Sequence, residues 1–142
     1  MIIGYTAGVY DMFHIGHLNI LKKAKELCDY LIVAVSTDEL VQSYKGKSPI
    51  IPFENRKKIV EAIRYVDKVV PQTSADVEGK KMSAIENNIN IMFVGDDWKG
   101  TDKWNLIEKE LAEIGVKVVY LPHTDGISST ILRKEISGCQ KK

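Results

Sequence analysis

His14 and His17 stand three residues apart around Gly16, in the stretch Gly8-Val9-Tyr10-Asp11-Met12-Phe13-His14-Ile15-Gly16-His17. Side chains at that spacing share one face of a helix, so both imidazoles could meet one ligand. An imidazole donates a hydrogen bond to a phosphate oxygen in either protonation state, which suits the pair to an anion. The flanking residues say where the pair sits. Ile2, Ile3, Tyr5 and Thr6 read as a short strand, whereas Leu18, Leu21, Ala24, Leu27 and Cys28 recur at helical spacing. Gly16 and His17 therefore open a helix, whose first amides lack intrahelical partners and favour an anion. Gly16 allows close backbone approach. Val9, Tyr10 and Asp11 fill the turn before the pair, and Asp11 could orient a histidine or help hold a metal ion.

Three other groups carry chemistry. Arg56 and Lys57 follow Pro52, Phe53 and Glu54 at the start of a predicted helix, where the dipole disfavours cations by roughly 0.3–1 kcal/mol. Lys45 and Lys47 precede them, and four cations around one loop point to an anionic ligand. Gly95-Asp96-Asp97-Trp98 follows a predicted strand; its carboxylates could bind polyol hydroxyls or help hold Mg²⁺, and Trp98 offers a stacking face. His123-Thr124-Asp125-Gly126-Ile127-Ser128-Ser129-Thr130 ends in three hydroxyl residues at a helix start, a second place for an anion. Arg64 closes a predicted helix, where a cation suits the dipole and a structural role is the default.

These groups need a frame that brings them to one edge. Apolar runs at 2–6, 30–36, 67–70, 91–94 and 116–121 read as strands, and helical patterns at 17–27, 54–64, 80–88, 104–114 and 128–136 lie between and after them. That alternation predicts an α/β fold, a doubly wound, Rossmann-like, five-stranded parallel sheet with helices on both faces and ligands at its carboxyl edge. Segments 37–52 and 71–79 read as irregular, the first as a lid. At 142 residues and 44% hydrophobic, the chain is expected to form a single domain over 1–142, with a frayed tail from about 137.

A net charge of +1 leaves no field to hold nucleic acid. No stretch is long and apolar enough for membrane insertion, and no charged leader precedes a cleavable segment. Cys28 and Cys139 lack the spacing of a metal site or redox pair, so a reducing, cytoplasmic setting is expected.

Taken together, His14-Ile15-Gly16-His17, the sequence IRYVD at 63–67, VGDDW at 94–98 and GISST at 126–130 resemble the cytidylyltransferase family of the HxGH nucleotidyltransferase superfamily. The likeness runs from Ile3 to about Ile136. It implies direct in-line transfer of CMP from CTP to glycerol 3-phosphate or a similar small phosphate monoester, with Mg²⁺ and with pyrophosphate as the second product. By the resemblance, His14 and His17 stabilise the transition state, Lys45 and Lys47 grip phosphates, and Arg56 lies near the reacting groups. Val9, Tyr10, Asp11 and Gly16 would border the nucleotide, as would Gly95, Asp96, Trp98, His123 and Thr124. Gly126, Ile127, Ser128, Ser129 and Thr130 would bind the leaving phosphates. Asp38, Arg64, Asp67 and Asp97 fall to the acceptor or to a homodimer contact, and the metal would be held mainly by phosphates, with Asp11 or Asp96 as the candidate protein ligand.

The chain departs from the family pattern twice. Val9 stands where the family turn has threonine, and His123 stands where it has arginine, exchanging a permanent charged fork for a group that titrates near neutrality. Other acceptors consistent with these residues are a phosphonate, phosphocholine or phosphoethanolamine. An adenylyltransferase is the alternative within nucleotidyl transfer, and a nucleotide-binding regulatory module without turnover is the alternative outside enzymes.

Overall fold

From Leu31 to Val35 the chain carries five consecutive buried apolar residues, the pattern of a strand covered on both faces. This strand, Tyr30–Ser36 (β2), lies beside Ile3–Gly8 (β1) in a computed structural model that describes residues 1–124. With Lys68–Gln72 (β3), Ile91–Gly95 (β4) and Lys117–Leu121 (β5) they form one parallel sheet in the order β3-β2-β1-β4-β5. The expected fold class is the one found. Strand order reverses between β1 and β4, so the segments leaving these two strands splay apart and open a crevice at the carboxyl edge.

Two apolar layers cover the sheet. On one face Leu21 and Ala24 of helix Ile15–Glu26 (α1) and Val60 of helix Phe53–Glu61 (α3) pack on Leu31, Val33, Val35 and Phe93. On the other, Ala84 of Val77–Glu86 (α4) and Trp104, Ile107 and Leu111 of Asp102–Ala112 (α5) pack on Tyr5, Ile32, Ala34 and Met92. Among the described residues no helix is long and apolar enough to cross a membrane.

The two segments expected to be irregular are more ordered than that. Residues Asp38–Lys45 form a helix (α2), begun by Thr37, whose hydroxyl accepts from the Leu40 amide at 3.2 Å, and ended by Gly46 at φ 72°. The apolar periodicity is thin because Val41 is the helix's one buried residue; its caps and the acidic first turn, Asp38 and Glu39, define it instead. The second segment is shortened from both ends. Strand β3 continues to Gln72 through Pro71, tolerated because β3 is an edge strand, and Asp76 starts α4 by accepting from the Gly79 amide at 2.6 Å. After β4 the chain makes a 3-10 turn, Asp96–Trp98. The helix expected over 128–136, the tail from 137 and Cys139 lie outside the described residues.

Candidate active site

The turn after β1 is built from unusual backbone. Tyr10 and Met12 adopt left-handed conformations, φ 53° and 50°, which disfavour residues with a Cβ by about 1–2 kcal/mol each. Tertiary contacts over-determine them. The Tyr10 ring is buried, stacks near Phe13 at 6.2 Å and meets the His17 ring edge-on at 5.3 Å. Asp11, also buried, accepts from the amides of Ile50 (Oδ2, 2.8 Å) and Ile51 (Oδ1, 2.9 Å), and so fastens the turn to the segment after α2.

Arg56 completes this fastening. Its side chain is wholly buried, with Nη1 donating to the carbonyls of Val9 and Ser36 at 2.7 Å each. Nε donates to the Ile51 carbonyl at 2.8 Å and Nη2 to Asp38 Oδ1 at 2.6 Å. A cation in the first turn of α3 is thus explained by the carbonyls and carboxylate converging on it, rather than by a ligand. Asp38 is committed to the same cluster and accepts from the Phe53 amide at 3.3 Å. Arg56 therefore positions the turn and does not face the cleft, contrary to the expectation of a residue near the reacting groups.

The histidines cap their own helix. His14 is the residue before α1, and its Nδ1 accepts from the Gly16 amide at 3.0 Å; His17 Nδ1 reaches back to accept from the His14 amide at 3.2 Å. This is the geometry of a capping box with imidazoles in place of a hydroxyl and a carboxylate. Both Nδ1 atoms act as acceptors, so each neutral ring carries its proton on Nε2, and the pair presents two N–H donors at a helix start. The rings stack with centroids 3.9 Å apart. Burial lowers the pKa of both. His17 is pushed down to about 4 by burial and then by His14, with Asp11 pulling the other way, so both are neutral donors at neutral pH.

A cleft of about 250 Å³ opens where β1 and β4 part. Gly8, Val9, Tyr10 and Asp11 form its floor, His17 and Ile20 one wall, Gly95 and Trp98 the opposite wall, and Lys45 of α2 its rim. Lys47 is exposed just beyond Gly46. The cleft therefore joins His17, one lid lysine and the turn after β4; His14 does not line it but stacks on His17. At the Trp98 wall, His123 Nδ1 lies 2.8 Å from Asp96 Oδ1 and 3.4 Å from Asp97 Oδ1. Thr124 Oγ1 accepts from Asn19 of α1 at 2.9 Å.

Among the described residues, three candidate divalent-cation donors come together in one place. Asp96, Asp97 and His123 offer ligand atoms within 4.8 Å of one another. Asp11 does not suit a metal, because both of its oxygens are taken by backbone amides.

Arg64 and Asp67 lie elsewhere. Asp67 immediately precedes β3, at the amino edge of the sheet, accepting from Lys25 Nζ at 2.5 Å and from the Leu31 amide at 2.8 Å. Arg64 is turned over the Tyr65 ring, 5.1 Å from its centroid. Neither lines the cleft. Gly126, Ile127, Ser128, Ser129 and Thr130 lie outside the described residues.

Lys80 passed unnoticed in the sequence. It is 7% exposed, with its ammonium 5.0 Å from the Trp104 ring centroid, and burial followed by Lys103 pushes its pKa down to about 8. The available signal was its place one helical turn before the buried Ala84, a lysine on the apolar face of α4.

A family model described as cytidylyltransferase-like matches residues 5–135 of the chain. A glycerol-3-phosphate cytidylyltransferase of Bacillus subtilis (strain 168) is 44% identical over 133 residues, covering 94% of this chain and 95% of that protein. An FAD synthase of Pyrococcus abyssi is 36% identical over 120 residues, 83% of this chain and 78% of that one. Among solved structures, the lipopolysaccharide core biosynthesis protein from Thermoplasma volcanium superposes with a TM-score of 0.70 at 27% identity, covering 87% of this chain and 97% of that one.

Proposed function

This chain belongs to the cytidylyltransferase-like family, and from that premise we propose that it is an enzyme transferring CMP from CTP to glycerol 3-phosphate, releasing pyrophosphate. The observation that carries the chemistry is the pair of Nε2–H donors at the start of α1, of which His17 lines the cleft between β1 and β4 and His14 stacks on it.

An oxygen of the acceptor phosphate attacks the α-phosphorus of CTP. The new Pα–O bond forms as the bond from Pα to the bridging oxygen of the β-phosphate breaks, and pyrophosphate departs with that electron pair. A phosphate monoester is already anionic near neutral pH, so no side chain is needed to deprotonate it; positioning and charge stabilisation are the protein's task. His14 and His17 donate through Nε2 to the α-phosphate as charge builds on its oxygens. Lys45 grips phosphate at the rim, with Lys47 beside it. Ser128, Ser129 and Thr130 receive the leaving β and γ phosphates. Asp96 and Asp97 would help hold Mg²⁺, which when bound would neutralise phosphate charge.

The wider setting is part of the same proposal. The enzyme acts in the cytoplasm as a homodimer, with the segment from Arg64 to Asp67 near the contact, and its CDP-alcohol product supplies cell-surface polymer synthesis of the teichoic acid type. The free Cys28 fits a reducing compartment.

The FAD synthase likeness favours one other reading, transfer of AMP from ATP. Pyrophosphate release measured for CTP, ATP, GTP and UTP against glycerol 3-phosphate, phosphocholine, phosphoethanolamine and a phosphonate separates the two. Turnover is expected with CTP and glycerol 3-phosphate; a preference for ATP would select the adenylyl reading, and silence with every pair would point to a module without turnover.

A further inference from the structure

Strands β4 and β5 pair as far as Gly95 and Leu121 and then diverge. Beyond that last pair the turn Asp96–Trp98 buries none of its residues, and Trp98, a wall of the cleft, is 52% exposed. Among the described residues its ring belongs to neither apolar core cluster. The back of the turn is held by the Thr101 hydroxyl, which donates to the Trp98 carbonyl at 2.8 Å. Its front is held from β5, by the 2.8 Å hydrogen bond between His123 Nδ1 and Asp96 Oδ1. The next residue, Thr124, is tied to Asn19 of α1, the helix that carries His17. The exit of β5 thus bridges the two walls of the cleft.

We propose that His123 is a positioning residue for the nucleotide site: by holding the Asp96 carboxylate it sets the turn Asp96–Trp98, and so the place of the Trp98 ring, without itself touching the nucleotide. The affinity arm rests on the function proposed above; the positioning arm does not. The pair is half exposed, so its worth to global stability is small and its effect is local geometry. The imidazole Nδ1 lies 2.8 Å from the Asp96 carboxylate and 3.4 Å from that of Asp97, whereas an arginine fork at this position would span more acceptors at once.

Tryptophan emission of the nucleotide-free protein tests this, with the contribution of Trp98 identified by its loss in Trp98→Phe. In His123→Ala the Trp98 component should change wavelength and become more open to acrylamide, while the melting temperature stays within about 2 °C. The Michaelis constant for CTP should rise roughly tenfold, because the Trp98 wall is no longer pre-organised, with kcat held within about twofold. His123→Asn, whose amide nitrogen stands near the place of Nδ1 and keeps a donor to Asp96, should restore most of both. Asp96→Ala should shift the Trp98 component as His123→Ala does, and the double variant no further. Unchanged Trp98 emission in His123→Ala, or additive shifts in the double variant, would overturn the proposal. Because emission is read without nucleotide, a wild-type protein that binds no CTP would strike the proposed function and leave the positioning test standing.

Discussion

Arg56 Nη2 meets Asp38 Oδ1 at 2.6 Å, with the guanidinium wholly buried and the carboxylate at the solvent edge. The pair is one corner of a cluster in which the same guanidinium also holds the carbonyls of Val9, Ser36 and Ile51. Arg56→Lys keeps the charge but cannot reach all four acceptors from one ammonium. It should destabilise the fold by about 2–4 kcal/mol in urea unfolding, and Arg56→Met by at least as much, since each strands buried carbonyls. An unchanged midpoint in Arg56→Met would remove Arg56 from its structural role.

Asp11 offers a different test of the same fastening. In Asp11→Asn the amide group must present a donor to one of the Ile50 and Ile51 N–H groups, replacing an acceptor with a clash of like groups. Hydrogen exchange at Ile50 and Ile51 should quicken by roughly tenfold or more, with little change in α5. Uniform quickening through the whole chain would instead mean global loosening.

His14→Ala and His17→Ala should each lower kcat by roughly 10²–10³, with a much smaller rise in the Michaelis constant for CTP. The reasoning is that the Nε2 donors act on charge that appears as the α-phosphorus is attacked. Saturation kinetics in which the Michaelis constant alone moves would show them to be ground-state binders.

His17 also makes stability depend on pH. Its folded pKa, about 4, lies below its ordinary value of 6.5, so the unfolded chain binds this proton more tightly. The stability it contributes is therefore complete above about 6.5 and is lost as pH falls toward 4, a span worth roughly 3 kcal/mol. His17→Asn, whose side-chain carbonyl can still accept from the His14 amide, should flatten this acid limb in urea titrations across pH 4–7.

Lys80 acts at the other end of the scale. With its pKa lowered from 10.5 to about 8, the folded state releases the proton that the unfolded chain keeps, and stability should climb between those values. Lys80→Met should abolish the climb and raise stability at pH 7 by up to roughly 3 kcal/mol. A variant that is less stable at pH 7 would show that the contact with Trp104 outweighs the cost of burying the charge.

The sheet was legible in the sequence because its central strands, Leu31 to Val35 above all, have no polar face to blur the pattern. The histidine turn was legible for a local reason as well, since strand, turn and helix start are all contiguous. Helix α2 was not, because one buried residue, Val41, leaves almost no periodicity, and the signal lay in the Thr37 cap and the Gly46 stop. Arg56 was read as a ligand cation because its true partners, Val9, Ser36, Asp38 and Ile51, come from separate segments that only the fold brings together. The place of Asp67 just before β3 was legible, from the apolar run that follows it; its bonds to Lys25 and the Leu31 amide were not, because those partners come from distant segments.

The reciprocal histidine cap has a consequence for anyone reshaping this protein. Each imidazole is bound to the backbone through Nδ1, so the caps of the first helix and the groups proposed to stabilise charge are the same two side chains. Routine helix-cap optimisation, placing serine at 14 or glutamate at 17, could strengthen the helix and would disarm the enzyme in the same step. On the proposed mechanism, helix stability and turnover depend on the same two positions, and extra stability would have to come from elsewhere in the chain.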